Sequence, residues 1–304
     1  PPVEVGTLSL GDYAPYMSAP HRMDLMVSAM TQDGAWHCNQ KCLHCYAAGQ
    51  PMGESRELTT AQWKEALERL RRANIPQVTF TGGEPTLRAD LVELVDELDA
   101  DAQLYRAVNT VVLRDGKIRG CNTDGRGFLQ MLLEAGISPE DKTITVLGAG
   151  GAARAVVLKL AQSGARRIFV CNRTRSKAEA LAKEFPTQIT PCGLDEETLQ
   201  DCALFSDLLV NTTPMGMHGM AARFEQLDFL AALPKGAAVC DIIYSPPETM
   251  LLARAKALGL STLNGLGMLI YQAVFALEEF TDVKIDAQEV LPAVKAALNE
   301  AMNA

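Results

Sequence analysis

No stretch of the 304-residue chain approaches eighteen uninterrupted apolar residues, which removes a membrane-spanning helix from the sequence-level readings. The first thirty residues lack a basic start followed by an apolar run, so no secretory signal is expected and the cytoplasm is the default location. Positive charge is short as well. Against 37 Asp plus Glu stand only 28 Lys plus Arg, and the resulting net charge of −9 argues against nucleic acid, whose binding needs clustered cations. Low-complexity tracts and internal repeats are missing, and the chain is 48% hydrophobic. Disorder, collagen and coiled coil are thereby excluded as overall classes, and the length suffices for two globular domains. Cysteine is too sparse, at eight, for a disulfide scaffold. Cys121, Cys171, Cys192, Cys202 and Cys240 are scattered singly and read as small buried apolar residues. Cys38, Cys42 and Cys45 stand apart from these because they lie together.

From Thr143 onward, short β-branched runs alternate with helical patterns, the rhythm of βαβ units and a parallel sheet. Strands are expected at Thr143 to Leu147, Arg167 to Cys171, Asp207 to Asn211 and Ala237 to Ile243. Helices are expected from Ala152 to about Ser163, from Ser176, and over Thr249 to Leu258, Met268 to Phe280 and Ala287 to Asn303. Before them, Val108 to Leu113 and Lys117 to Cys121 flank Asp115-Gly116, a hairpin turn signal. The first hundred residues are less regular. A helix from Thr60 to Ala73, a strand from Gln77 to Thr81 and a helix from Ala89 to Leu98 are the clearest segments there. The fold class is therefore α/β: a Rossmann-type doubly wound parallel sheet over residues 126–304, with a smaller N-terminal α/β domain over 1–125.

Gly148-Ala149-Gly150-Gly151-Ala152-Ala153 follows an apolar strand and opens a helix, the context that a dinucleotide fingerprint requires. Gly148 permits the tight turn, Gly150 lets the backbone approach a pyrophosphate, and the helix N-terminus offers N–H groups to that anion. At the end of the next strand, where an NAD site places an acid, the chain reads Asn172-Arg173-Thr174-Arg175-Ser176-Lys177. Three cations and two hydroxyls suit a 2′-phosphate, so NADP is the expected cofactor.

Residues 96–304 resemble the shikimate dehydrogenase family. The resemblance is carried by Ala107-Val108-Asn109-Thr110, Asn122-Thr123-Asp124-Gly125, the Gly148 turn, Asn172-Arg173-Thr174, Asn211-Thr212-Thr213-Pro214-Met215-Gly216-Met217, Asp241-Ile242-Ile243-Tyr244, and Asn264-Gly265-Leu266-Gly267-Met268 leading to Gln272. It implies an NADP-dependent enzyme that interconverts 3-dehydroshikimate and shikimate, a step of aromatic amino acid biosynthesis. It makes Asn109, Asp124, Tyr244 and Gln272 substrate contacts, and Thr212, Met215, Ile242 and Gly265 cofactor contacts. The family delivers the proton with a Lys and Asp pair. Asp124 matches the aspartate, whereas the lysine position falls on Arg88, which stays protonated and can polarise a carbonyl but not cycle a proton. The family's N-terminal serine pair has no counterpart; Ser18 lies in that region in another context.

Cys38-Asn39-Gln40-Lys41-Cys42-Leu43-His44-Cys45 spaces three thiolates as C-x3-C-x2-C, within reach of three irons of a [4Fe–4S] cube. With Thr81-Gly82-Gly83-Glu84-Pro85, it resembles the radical S-adenosylmethionine superfamily over residues 1–95. That resemblance implies a cluster on Cys38, Cys42 and Cys45 with S-adenosylmethionine on its open iron. Only the first βα units of that superfamily's partial barrel are represented, so the chain reads as a composite joined near the helix expected at Ala89 to Leu98. Three functions stay open: a dehydrogenase with a small-molecule substrate, a cluster-binding radical protein, and a non-catalytic NADP binder. Self-association as a homodimer is also open.

Overall fold

The computed structural model describes residues 22–28, 31–32, 35–36, 57–73, 75, 77–82, 90–115, 117–219 and 223–286, with 289, 291–292 and 294 beyond them. The chain divides into two compact units, one of residues 1–100 and 108–121, the other of 101–107 and 122–304.

In the first unit, β1 (Arg22–Ser28), β2 (Thr31–Gln32) and β3 (Ala35–Trp36) precede α1 (Thr60–Arg72), which returns the chain to β4 (Gln77–Gly82). β4 pairs parallel to β1, so β1, α1 and β4 form one βαβ unit. The start of α1 is fixed by a capping box: the Thr59 hydroxyl accepts from the Gln62 backbone N–H, and the Gln62 side chain accepts from the Thr59 N–H. Its buried stripe, Trp63 and Leu67, packs with Leu94. β5 (Glu97–Leu98), β6 (Thr110–Arg114) and β7 (Lys117–Cys121) make a separate three-stranded sheet in the order β5-β7-β6. β6 and β7 are the expected hairpin, turned at Asp115 with φ +51°.

The helix expected over Ala89 to Leu98 does not form across the described part. Leu91–Leu94 is a single 3-10 turn, after which Val95 is extended. The hairpin's edge overrides helical propensity here: the Asp96 backbone N–H donates to the Ile118 carbonyl, Asp96 Oδ2 accepts from the Ile118 N–H, and Leu98 takes its place opposite Gly120. Among the described residues, no helical seam joins the two resemblances.

The second unit opens with α2 (Ala100–Tyr105) and α3 (Asp124–Glu134), then alternates β8 (Thr143–Leu147), α4 (Gly151–Gln162), β9 (Arg167–Cys171), α5 (Arg175–Ala182), β10 (Ile189–Cys192), α6 (Glu196–Leu204) and β11 (Leu208–Asn211). β12 (Ala238–Asp241), α7 (Met250–Ala257), β13 (Ser261–Leu263) and α8 (Leu266–Thr281) complete it. All six strands are parallel, in the order β10-β9-β8-β11-β12-β13. This is the doubly wound Rossmann arrangement expected from the sequence. Side-chain alternation explains its two cores. Ile144, Val146, Ile168, Val170 and Val210 face one side with Phe128, Val156, Leu160 and Tyr271, whereas Leu147, Cys171, Leu209 and Val239 face the other with Leu199, Phe229 and Leu251. Burial of every residue of β8 puts it at the centre. Described parts of the expected helix Ala287 to Asn303 include Leu291, buried in the first core; the remainder lies outside the described residues.

Candidate active site

In the second unit the order of strands reverses between β8 and β11, and ligands of open α/β sheets bind at the carboxyl ends there. Gly148 leaves β8 at this point with φ +109°, a conformation that L side chains avoid. A Cβ on it would lie 2.6 Å from Thr212 Oγ1. Thr212 is itself tied back, its backbone N–H and hydroxyl both donating to the Leu147 carbonyl (2.9 and 2.7 Å). The turn is therefore glycine for reasons internal to the fold. Gly150 and Gly151 differ, because a Cβ at either meets nothing within 4 Å and neither has positive φ. Among the described residues nothing demands glycine at these two positions, while a pyrophosphate lying against the backbone would. α4 starts at Gly150 without a capping side chain, which leaves its first-turn N–H groups to such an anion. Ala149 and Ala152 flank that turn half-buried, as its walls.

One βα unit later, Asn172 holds the loop by donating from Nδ2 to the Thr174 carbonyl (2.8 Å). Arg173, Thr174, Arg175, Ser176 and Lys177 are exposed around the start of α5, whose first turn carries no acid. Cations at a helix N-terminus oppose the helix dipole, a local cost that a bound phosphate reverses. The residues thus fit the phosphates of NADP.

The loop after β11 is set by a buried polar pair. Asn211 Nδ2 donates to Asp241 Oδ1 (3.0 Å) between directly registered positions of β11 and β12, and Asn211 Oδ1 accepts from the Thr213 N–H and hydroxyl. Thr213 Oγ1 in turn accepts from the Met215 N–H (3.3 Å). Asp241 also accepts from the Ile243 N–H and the Thr249 hydroxyl. Burial pushes its carboxyl above the usual range, against the pull of these donors. In the sequence Asn211 and Asp241 stand out only as members of longer motifs. Their signal was two polar residues closing apolar strands at equivalent ends.

Ile242 and Gly265 meet through backbone: a Cβ on Gly265 would lie 1.8 Å from the Ile242 carbonyl oxygen, so no other residue fits. Opposite chemistry gathers on α3 and α8. The Asn122 side chain donates to the Ala107 carbonyl and accepts from the Asp124 N–H, which fixes the first residue of α3. Gln272 Nε2 donates to Asp124 Oδ1. α3 and α8 approach closely because Gly127 faces Gln272 and Met268, with a Cβ at Gly127 only 2.9 Å from the Gln272 backbone nitrogen. Sequence reading overlooked α3, since two glycines in four residues depress helix propensity.

Of the expected site residues, Asp124 and Gln272 are brought together, and Tyr244 is exposed just beyond β12. Asn109 belongs to the first unit, where its Oδ1 accepts from Thr110 Oγ1 (3.0 Å). Arg88, Ser18, Cys38, Cys42, His44, Cys45 and Gly83 to Pro85 lie outside the described residues.

Sheet order and glycine turn together define a Rossmann-type nucleotide-binding protein. The Shikimate 5'-dehydrogenase C-terminal domain family matches residues 265–295, and the Radical SAM superfamily matches residues 37–202. A shikimate dehydrogenase (NADP(+)) of Paramagnetospirillum magneticum is 41% identical over 249 residues, 80% of this chain and 87% of that protein. One of Alkaliphilus oremlandii is 40% identical over 214 residues, 67% of this chain and 73% of the relative. The crystal structure of shikimate 5-dehydrogenase from Thermus thermophilus in complex with NADP(H) and shikimate is 33% identical, covers 80% of this chain and 87% of its own, and has a TM-score of 0.62. The chain belongs to the shikimate dehydrogenase family, and its front third carries the cysteine motif of the radical SAM superfamily besides. The superfamily match extends to residue 202 and so overlaps β8, β9 and β10, which are strands of the Rossmann sheet.

Proposed function

We propose that the chain is an NADP-dependent oxidoreductase that reduces 3-dehydroshikimate to shikimate. The observation that carries it is the pair formed by the open Gly150-Gly151 helix start and, one βα unit on, a basic first turn without acids. Homologues of about 40% identity, named shikimate dehydrogenase (NADP(+)), support the same reading.

Gly148 to Ala152 would hold the pyrophosphate, and Asn172 to Lys177 the 2′-phosphate. Thr212, Met215, Ile242 and Gly265 would bound the nicotinamide end. NADPH, when bound, supplies the hydride. In the reducing direction protonated Asp124 would donate its proton to the carbonyl oxygen as the hydride arrives and regain one from water, and in the reverse direction its carboxylate takes the proton of the substrate hydroxyl. Gln272, by donating to Asp124 Oδ1, holds the carboxylate in one orientation and contacts the substrate from α8. The family resemblance adds Tyr244 and Asn109 as substrate contacts and gives Arg88 the role of a fixed cation that polarises the carbonyl. We place the enzyme in the cytosol, as a homodimer.

Oxidation of NADPH followed with 3-dehydroshikimate tests this directly. Saturable turnover that disappears in Asp124→Asn is expected. Tight NADPH binding with no turnover on shikimate or quinate analogues would leave a binding protein instead.

A second reading concerns the front of the chain. The Radical SAM match, which begins at residue 37, supports a [4Fe–4S] cluster on Cys38, Cys42 and Cys45 with S-adenosylmethionine on the open iron. Anaerobic reconstitution should give the broad visible absorption of a cubane cluster, lost in Cys42→Ala. Absorption that survives this substitution rejects the triplet as ligands.

A further inference from the structure

Three of the cysteines that are scattered in the sequence meet in the fold. Cys171 ends β9, Cys192 ends β10 and Cys202 lies in α6. The parallel register sets Cys192 directly opposite Cys171. Cys202 enters from the helix with its Sγ 3.9 Å from Cys171 Sγ, and all three sulfurs lie within 4.8 Å of one another. Cys171 and Cys202 are buried, whereas Cys192 is half-buried on the edge strand of the sheet. Cys240, on β12 beyond β8 and β11, stands outside the cluster.

Two kinds of chemistry could join these sulfurs, and the spacing favours one. A disulfide needs Cβ atoms about 3.5–4.5 Å apart and sulfurs about 2.05 Å apart. The 3.9 Å between the Cys171 and Cys202 sulfurs is well beyond that bond length, and Cys171, Cys192 and Cys202 are free thiols. A zinc ion bound at about 2.3 Å by tetrahedral thiolates separates its sulfurs by about 3.8 Å, close to the 3.9 Å between Cys171 and Cys202.

We propose that Cys171, Cys192 and Cys202 form a binding site for a thiophilic divalent cation of the zinc and cadmium class, with water in the fourth position on the Cys192 side. Three thiolates and a divalent ion carry one net negative charge, and Arg175, whose charge acts on Cys192, offsets it in part. A bound ion would tie β9, β10 and α6 together beneath the loop that starts at Asn172, whose backbone N–H donates to the Cys192 carbonyl. This site uses none of Cys38, Cys42 and Cys45 and does not require dehydrogenase activity.

The test uses the full chain carrying Cys38→Ser, Cys42→Ser and Cys45→Ser, reduced, stripped with a chelator and titrated anaerobically with Co2+. One equivalent should bind, with thiolate-to-cobalt charge-transfer absorption and the visible bands of tetrahedral cobalt, and Zn2+ should displace it. Adding Cys192→Ser should weaken binding at least tenfold, and adding Cys202→Ala should abolish the spectrum. Should the triple variant misfold, the same titration of the natural chain against its Cys192→Ser variant must differ by one equivalent. Absence of tetrahedral bands in folded protein, or bands indifferent to Cys192→Ser, overturns the proposal. Loss of two thiols on mild peroxide treatment without cobalt uptake also overturns it and makes the cluster a redox pair.

Discussion

Gln272 on α8 donates from Nε2 to Asp124 Oδ1 at the first position of α3, joining residues 148 positions apart in sequence. The contact exists because two local devices converge. Asn122 folds back on the backbone to set where α3 begins, and Gly127 lets α8 come close enough for a glutamine amide to reach the carboxylate. Neither partner is fully buried, so the pair can still meet a ligand.

If Asp124 handles the proton, Asp124→Asn should lower kcat by about two to four orders of magnitude, the usual share of general acid–base catalysis. Gln272→Ala removes only orientation and one contact, and should act more on KM than on kcat. Steady-state rates of NADPH oxidation with 3-dehydroshikimate check both. An Asp124→Asn enzyme with unchanged kcat would remove the carboxylate from the chemistry.

The glycines of the phosphate turn should separate by role. Gly148→Ala forces a side chain into φ +109° and against Thr212, and should cost about 1–3 kcal/mol of stability along with cofactor binding. Gly151→Ala meets open space and lies in a helix, so it should hold or raise the melting temperature. NADPH affinity should nevertheless fall at least tenfold, because the added methyl occupies the space proposed for the pyrophosphate. Thermal melts and calorimetry on the two variants decide it. Unchanged affinity in Gly151→Ala would place the phosphates elsewhere.

Much of the Rossmann half was legible because β8, β11 and β12 are buried along their whole length and read as largely apolar runs ending at a glycine or a polar residue. β10 escaped notice because Pro191 interrupts it, which only an edge strand tolerates. The Ala89 to Leu98 segment misled for the opposite reason. Its periodicity suits a helix, but the edge of the β6–β7 hairpin offers hydrogen bonds that no local pattern reveals. Site residues carried by motifs were found, while convergence was not: nothing in the separation of Cys171, Cys192 and Cys202 announces that one register and one helix bring their sulfurs together.

Specificity for the phosphorylated coenzyme should reside in Arg173 and Arg175. Both are exposed, so solvent screening limits each to about a three- to tenfold effect on NADPH affinity. The double substitution Arg173→Ala, Arg175→Ala should bring NADPH binding toward that of NADH and leave NADH within about twofold. Salt should narrow the same difference in the natural protein. Dissociation constants for both coenzymes at two ionic strengths test this, and parallel losses for NADPH and NADH would contradict it.

Asp241 should leave a pH signature of its own. Burial raises its native pKa above 3.8, so between that value and the native one the folded state holds the extra proton. Its contribution to stability is therefore complete at low pH and declines as pH rises through the window. Asp241→Asn keeps an acceptor for Asn211 and Ile243 and turns an amide toward Thr249, removing the titration. Relative to the natural chain, the variant should gain urea stability as pH rises above 3.8. Parallel stability curves would mean that Asp241 does not titrate in this range.

Gly127 offers the most direct probe of how the fold serves the site. An alanine there would favour α3 by about 1 kcal/mol in helix propensity, yet its Cβ would fall 2.9 Å from both the Gln272 backbone nitrogen and Cγ, and 3.0 Å from the Met268 carbonyl. Backbone contacts cannot yield as a side-chain tip would, so α8 must move away, at about 1–3 kcal/mol. Gly127→Ala should therefore melt several degrees lower and also lose kcat/KM, because the shift draws Gln272 off Asp124. NADPH affinity should change little, since the phosphate turn sits on β8 and α4. An alanine variant that is more stable and fully active would show that the approach of the two helices is looser than this packing requires, and that the glutamine is not held by it.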